Sequence, residues 1–291
     1  MSRDGVLLTA HGSVENLDDM PEFLARIRHG RAAPPELVAE LRRRYAAIGG
    51  SPLLRITREQ AARLAEELGL PVFVGMRLFR PELVDALREA QSAGVERLVV
   101  LPLAPFSVHV YFAAAERARA GLGSSSLALL RPEPFGQAPE FVEAQAELIR
   151  PALGDADRET LLLTAHSLPA QVIAAGDPYA DQVAASARAI AARLGRPYQL
   201  IYQSQGADGG DWLGPDLKTA LAAAHAQGRK RLVVAPVGFV SDHVETLYDL
   251  DIEAKAWAAE LGLEFVRIPA PNAAPALISA LASVARRALL G

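Results

Sequence analysis

The chain has 291 residues, 51% of them apolar and 22% charged, with a formal net charge of −4 and no cysteine. That length suits one large domain or two ordinary ones, and the mild acidity leaves no electrostatic footprint for nucleic acid. Without cysteine there are no disulfides, no thiolate metal sites and no cysteine-ligated iron–sulfur clusters, and no apolar run approaches the roughly 20 residues of a transmembrane helix.

The chain opens with "MSRDGVLLTAHGS", whose apolar run is too short for a signal peptide, so a cytoplasmic protein is expected. "GVLLTAH" reads as a strand ending at His11. An arginine-rich segment follows, "SVENLDDMPEFLARIRHGRAAPPELVAELRRRYAAIGGSPL". Next come a Gly-x-Pro strand ("GLPVFVGMRL"), a helix that starts near Pro81, and a strand ("RLVVLPL"). The same order then recurs. "TLLLTAH" ends at His166, "GRPYQLIYQS" answers the Gly-x-Pro strand, "PDLKTALAAAHAQG" answers the helix, and "RLVVAPV" answers "RLVVLPL". A last strand, "LEFVRIP", precedes a closing helix at Pro275–Leu290.

Continuous apolar runs of this kind suit strands covered on both faces, and their alternation with helices predicts parallel α/β sheets. The repeated order predicts a duplicated unit: two similar Rossmann-like lobes with a cleft between them. The boundary is expected in "GDADRE", giving residues 1–154 and 155–291, with the last helix able to pack on the first lobe. Both insertions, the arginine-rich segment and "GADGGDW" after "YQSQ", follow strand C-termini, the side where open α/β sheets bind ligands. The second, with Trp212, reads as a mobile loop over the cleft.

Three features can carry chemistry. His166 stands at a strand end, and imidazole is both a metal ligand and a proton carrier near neutral pH. A lone histidine there also fits a hydrogen-bonded structural role. In "GFVSDHVETLYDLDIEAKAW", Glu245, Asp249 and Glu253 are spaced i, i+4, i+8, with Asp251 nearby. Like charges at that spacing destabilise a helix by about 0.2–0.5 kcal/mol per pair, so the row makes sense where it handles cations or protons. Asp242 followed by Glu245 also fits a helix capping box. Arg26, Arg28, Arg31 and Arg42–Arg44 surround a Gly-Gly-Ser-Pro loop, either as a charged helix face or as a clamp for carboxylates. No Walker or G-x-G-x-x-G motif supports a nucleotide.

"AIGGSPL", "AHSLP", "YQSQ…WLGP" and "GFVSDHVETLYDLDIE", taken together, resemble the ferrochelatase family over nearly the whole chain. The resemblance implies a lyase-type metal chelatase of haem and porphyrin biosynthesis, built from two chelatase-type lobes. Its substrates would be Fe2+ and a porphyrin, protoporphyrin IX or coproporphyrin III, and its product haem or coprohaem. His166 and Glu245 match the family's catalytic metal-site pair, and Asp249, Asp251 and Glu253 its proton or metal path. Arg28, Arg44, Tyr45, Ser51 and Tyr111 match porphyrin-lining positions. His11 stands where relatives carry Tyr or Met, which implies contact with the ring or axial contact with its iron. A monomer is expected, without iron–sulfur cluster, nucleotide or nucleic-acid partner. The alternatives are a cobalt or nickel chelatase for sirohydrochlorin, which the long acidic motif disfavours, and a non-catalytic haem or porphyrin carrier, which would not turn over.

Overall fold

The computed structural model describes residues 3–123, 126–206 and 210–291. Among them are two four-stranded parallel sheets of the same plan. The chain forms two compact units, Met1–Phe135 with Asn272–Gly291, and Gly136–Pro271.

The first unit contains β1 (Asp4–Ala10), α1 (Met20–Ile27), α2 (Pro35–Ala47), α3 (Leu53–Leu68), β2 (Val72–Met76), α4 (Leu83–Ser92), β3 (Arg97–Pro102), α5 (Val108–Ala120) and β4 (Ala128–Leu130). Its strand order is β2-β1-β3-β4. The second contains α6 (Pro139–Ile149), β5 (Glu159–His166), α7 (Ala170–Ala174), α8 (Tyr179–Leu194), β6 (Gln199–Gln203), α9 (Leu217–Ala226), β7 (Arg231–Ala235), α10 (Val244–Leu247), a π-helical turn (Asp249–Ala254), α11 (Lys255–Glu260) and β8 (Glu264–Arg267). Its order is β6-β5-β7-β8. The final helix, α12 (Pro275–Leu290), returns to the first unit and packs on α3 and β3.

The duplication extends to individual bonds. Ala10 pairs with Met76 across β1 and β2, and Ala165 pairs with Tyr202 across β5 and β6. Met76 N–H donates to Pro81 O at 2.7 Å, and Tyr202 N–H donates to Pro215 O at 2.9 Å. α3 and α8 each end at a left-handed glycine, Gly69 (φ 66°) and Gly195 (φ 64°), a conformation glycine adopts without a Cβ penalty.

The continuous apolar runs are explained by cover on both faces. Leu162, Leu232 and Val234 pack with Leu217, Leu221 and Ala258 on one side of the second sheet. Leu161, Leu163 and Val233 pack with Val142, Ile149 and Ile190 on the other. Full burial of each such side chain is worth about 1.5–3 kcal/mol.

The division between units falls at Phe135/Gly136, not at the expected 154/155. α6 is the reason. Its Val142 and Ile149 complete the core beneath α8, and Ser186 Oγ on α8 donates to Gly136 O. "GDADRE" has the composition of a linker, yet its Glu159 is only 5% exposed. That carboxylate accepts from Gly154 N–H at 3.0 Å and is bound by Arg196 and Arg231, which anchors the segment under β5. The last helix is tied to the first unit by Gln60 Nε2 donating to Asn272 O at 2.7 Å and Arg97 Nη2 donating to Leu289 O at 2.8 Å.

Candidate functional site

In the second unit β5 delivers His166, half-buried, to the strand's C-terminal end. Its Nδ1 lies 2.8 Å from Glu245 Oε2 on α10. Both residues are held through their main chains. Tyr179 Oη donates to His166 O at 2.8 Å, and Gln203 Nε2 donates to Glu245 O at 2.7 Å. Gln203 Oε1 in turn accepts from Thr164 Oγ1 at 2.6 Å, two residues before His166. Gly238 lies directly against this strand end, where a Cβ would come within 2.7 Å of Ala165. His243 adds a second imidazole, with Nε2 3.7 Å from the same Glu245 oxygen.

The electrostatics follow from this packing. Burial works against charge on His166, but Glu245 and then Asp249 outweigh it and raise the imidazole pKa. Burial also opposes charge on Glu245, but His166 and His243 hold its carboxyl well below the usual range. Both shifts favour the imidazolium–carboxylate form of the pair. Among the described residues no three His, Asp or Glu side chains gather as a metal cage.

The acidic row is not a single α-helical stripe. Ile252 N–H and Glu253 N–H both bond to Tyr248 O, at 3.1 and 3.0 Å, which widens the turn into a π-helix. π turns are frequent at functional sites because they re-aim side chains. Asp249 accepts from Ser204 Oγ, and Ser204 has the left-handed φ of 61°. That conformation costs a non-glycine residue about 1–3 kcal/mol. Asp251 departs from the row, with Oδ1 bound to Arg267 Nε at 2.6 Å. The capping box also shifts by one residue. His243 is the N-cap, its N–H donates to Thr246 Oγ1 at 3.0 Å, and the Glu245 side chain is left for His166.

In the first unit His11 is exposed just beyond β1. Its carbonyl accepts from Leu78 N–H at 2.9 Å, and Ala10 O accepts from Arg77 N–H at 2.9 Å. The Arg77 guanidinium lies 5.5 Å from the centre of the buried Tyr111 ring, and its Nε is buried without a partner among the described residues. Tyr45 is buried on α2, where its hydroxyl accepts from Ser13 Oγ at 3.2 Å. Ser51 Oγ, at 3.4 Å from Leu53 N, sits at the start of α3. The arginine cluster largely satisfies itself. Arg43 and Arg44 bind Glu40, and these hydrogen bonds lower its pKa to about 2. Arg26 binds Glu22 and Glu82, Arg42 Nε donates to Leu17 O, and Arg31 Nε donates to Arg28 O. Arg28 differs, because its Nε is buried and unpaired among the described residues.

A family model described as ferrochelatase matches residues 3–289. The chain belongs to the ferrochelatase family. A coproporphyrin III ferrochelatase from Anoxybacillus flavithermus is 38% identical over 299 residues, spanning 96% of this chain and 94% of that protein. A ferrochelatase from Deinococcus radiodurans is 38% identical over 305 residues, spanning 97% and 95%. Among solved structures, the cobalt complex of the sirohydrochlorin chelatase SirB from Bacillus subtilis subspecies spizizenii is similar at a TM-score of 0.56 and 15% identity, covering 98% of this chain and 95% of that one. At that identity the likeness shows the shared chelatase fold alone.

Against this ferrochelatase background, the structure brings His166, Glu245 and Asp249 together and turns Asp251 toward Arg267. Within the first unit it gathers Arg77 with Tyr111, and Ser13 with Tyr45. Sequence reasoning passed over Arg77, Gln203 and His243. The signal for the first two was available, since "GMR" and "IYQ" occupy matching strand ends of the repeat. The "GADGGDW" insertion departs from a mobile loop at its described end. Trp212 pairs with Pro169, Leu213 N–H donates to Leu168 O at 2.9 Å, and Ala170 N–H donates to Asp211 O at 2.8 Å. Residues 207–209 of that insertion lie outside the described residues.

Proposed function

We infer that this protein inserts Fe2+ into a porphyrin in haem biosynthesis, and that His166 and Glu245 handle the iron and the displaced protons. The 2.8 Å contact between these two side chains, at the strand end of a chain in the ferrochelatase family, carries the reading. Insertion exchanges one Fe2+ for two pyrrole protons, so charge balances only if those protons leave. As Fe2+ arrives beside Glu245, His166 releases its own proton to solvent by way of Asp249. It then accepts a pyrrole N–H proton and releases it the same way, and the second pyrrole proton follows by that route. Glu245 offers carboxylate oxygen to the metal on the same face. Asp249 and Glu253 pass protons or iron toward solvent, and Asp251 contributes through its tie to Arg267. A general base so placed is worth about 10²–10⁴-fold.

His11, Arg28, Tyr45, Ser51 and Tyr111 contact the porphyrin, with His11 reaching its iron and Arg28 its carboxylates. Arg77 joins them, because a buried guanidinium nitrogen without a partner is a costly donor that an anionic ligand would satisfy. Arg44 belongs to this set by family resemblance, although Glu40 already occupies its Nε. Two such unpaired guanidinium nitrogens, together with relatives named coproporphyrin III ferrochelatase, favour the tetracarboxylate coproporphyrin III over protoporphyrin IX. The reading requires no nucleotide and no iron–sulfur cluster, and it places a monomer in the cytoplasm. Among the described residues no helix is long and apolar enough to cross a membrane.

The test is a set of initial rates for Fe2+, Co2+ and Ni2+ with coproporphyrin III, protoporphyrin IX and sirohydrochlorin. Fe2+ with coproporphyrin III should be fastest, over many turnovers. A preference for sirohydrochlorin would make the protein a cobalt or nickel chelatase, and tight binding without turnover would make it a carrier.

A further inference from the structure

We propose that Arg267 is a positioning residue for Glu245, acting from β8 through two aspartates that flank the acid. The inference rests on reading His166–Glu245 as the iron site. The Arg267 side chain is 13% exposed. Its Nη1 lies 2.8 Å from Asp242 Oδ1, and its Nε lies 2.6 Å from Asp251 Oδ1. Asp242 precedes the turn into α10, and Asp251 lies within the π-helical turn, so one guanidinium ties both flanks of the segment that carries Glu245. Asp242 Oδ1 also accepts from Thr246 Oγ1 at 2.9 Å, and Thr246 Oγ1 accepts from His243 N–H at 3.0 Å. The bonds that shape the turn on either side of Glu245 therefore converge on the carboxylate that Arg267 holds.

A guanidinium suits this task because its rigid fork sends donors in two directions, which an ammonium on a flexible stem does not. Two carboxylates share one cation here. Without it they repel, which lowers stability, and no side chain ties the turn to the π segment, so Glu245 loses the fixed approach to His166. A metal-site acid tolerates misplacement of only about 0.5 Å. Loss of groups that orient metal-binding side chains typically costs about 10–100-fold in metal affinity or activity.

The test measures iron insertion into coproporphyrin III with either substrate varied, together with porphyrin binding by fluorescence and Tm. Arg267→Met should lower kcat/KM for Fe2+ about 10–100-fold while porphyrin Kd stays within about twofold. The combined variant Asp242→Asn, Asp251→Asn, Arg267→Met removes the unbalanced charge and should regain Tm but keep the iron defect. If the single variant does not fold, the combined one decides. Iron kinetics unchanged in Arg267→Met, a proportional loss of porphyrin affinity, or iron kinetics restored in the combined variant would each overturn the proposal. Absence of turnover in the unaltered protein would instead refute the iron-site reading.

Discussion

The two units carry their corresponding strand-end residues in opposite states. Thr164 and Gln203 in the second unit correspond by repeat position to Thr9 and Arg77 in the first. Thr164 Oγ1 donates to Gln203, and Gln203 donates to the Glu245 carbonyl, so every buried polar group in that chain of bonds has a partner. Thr9 Oγ1 and Arg77 Nε are both buried without partners among the described residues. His166 is half-buried against a carboxylate, whereas His11 is exposed. A duplicated scaffold has thus been used in two ways. At this strand end the second unit finishes its hydrogen bonds and so fixes the His166–Glu245 pair by its main chain. At the matching strand end the first unit leaves Thr9 Oγ1 and Arg77 Nε unsatisfied among the described residues, at about 1–3 kcal/mol each.

The sharpest way to break this comparison is to remove each histidine. His166→Ala should lower iron insertion about 10²–10⁴-fold while porphyrin still binds, as judged by steady-state rates beside a binding titration. His11→Ala should change the optical spectrum of the product complex more than the insertion rate. Near-normal turnover without His166 would remove it from the mechanism, and an unchanged product spectrum without His11 would remove the axial contact.

A smaller effect separates the two threonines. Thr164→Val leaves Gln203 Oε1 without its donor and should cost about 1–3 kcal/mol in denaturant unfolding. Thr9→Val deletes a hydroxyl that has no partner to lose and should be neutral or slightly stabilising. Equal losses at both sites would erase the distinction between a finished and an unfinished strand end.

The smallest effect is in pH. His166 is raised above its ordinary 6.5, so its contribution to stability is complete below about that pH and fades as pH rises through the raised value. Glu245 is held below its ordinary 4.5, so its contribution is complete above that pH and fades as pH falls through the lowered value. The Tm difference between the unaltered protein and His166→Ala should therefore be greatest between about pH 4.5 and 6.5 and shrink on both sides. A difference independent of pH would separate the pair.

The paired strands, their parallel character and the duplicated order were legible in the chain itself. Runs such as "RLVVLPL" and "RLVVAPV" state by their continuity that both faces are covered, and that information is local. His166 and Glu245 were legible as chemistry-bearing residues because each stands in a distinctive motif, although 79 residues separate them and their 2.8 Å contact is a tertiary fact. The sequence spacing of Glu245, Asp249 and Glu253 implied one helical stripe, since i+4 periodicity assumes an α-helix. Only the packed structure inserted the π turn and drew Asp251 to Arg267. The pairing of Arg43 and Arg44 with Glu40 is local, one turn along α2, whereas packing decided that Arg28 keeps a buried nitrogen unpaired among the described residues. Packing also placed the unit boundary before α6 rather than in a Gly-Asp segment that Glu159 holds down. Burial and partnership depend on which distant residues arrive at a side chain. Composition, periodicity and helical spacing constrain the elements of this protein and its local ion pairs, and tertiary packing determined which of its buried polar groups are satisfied.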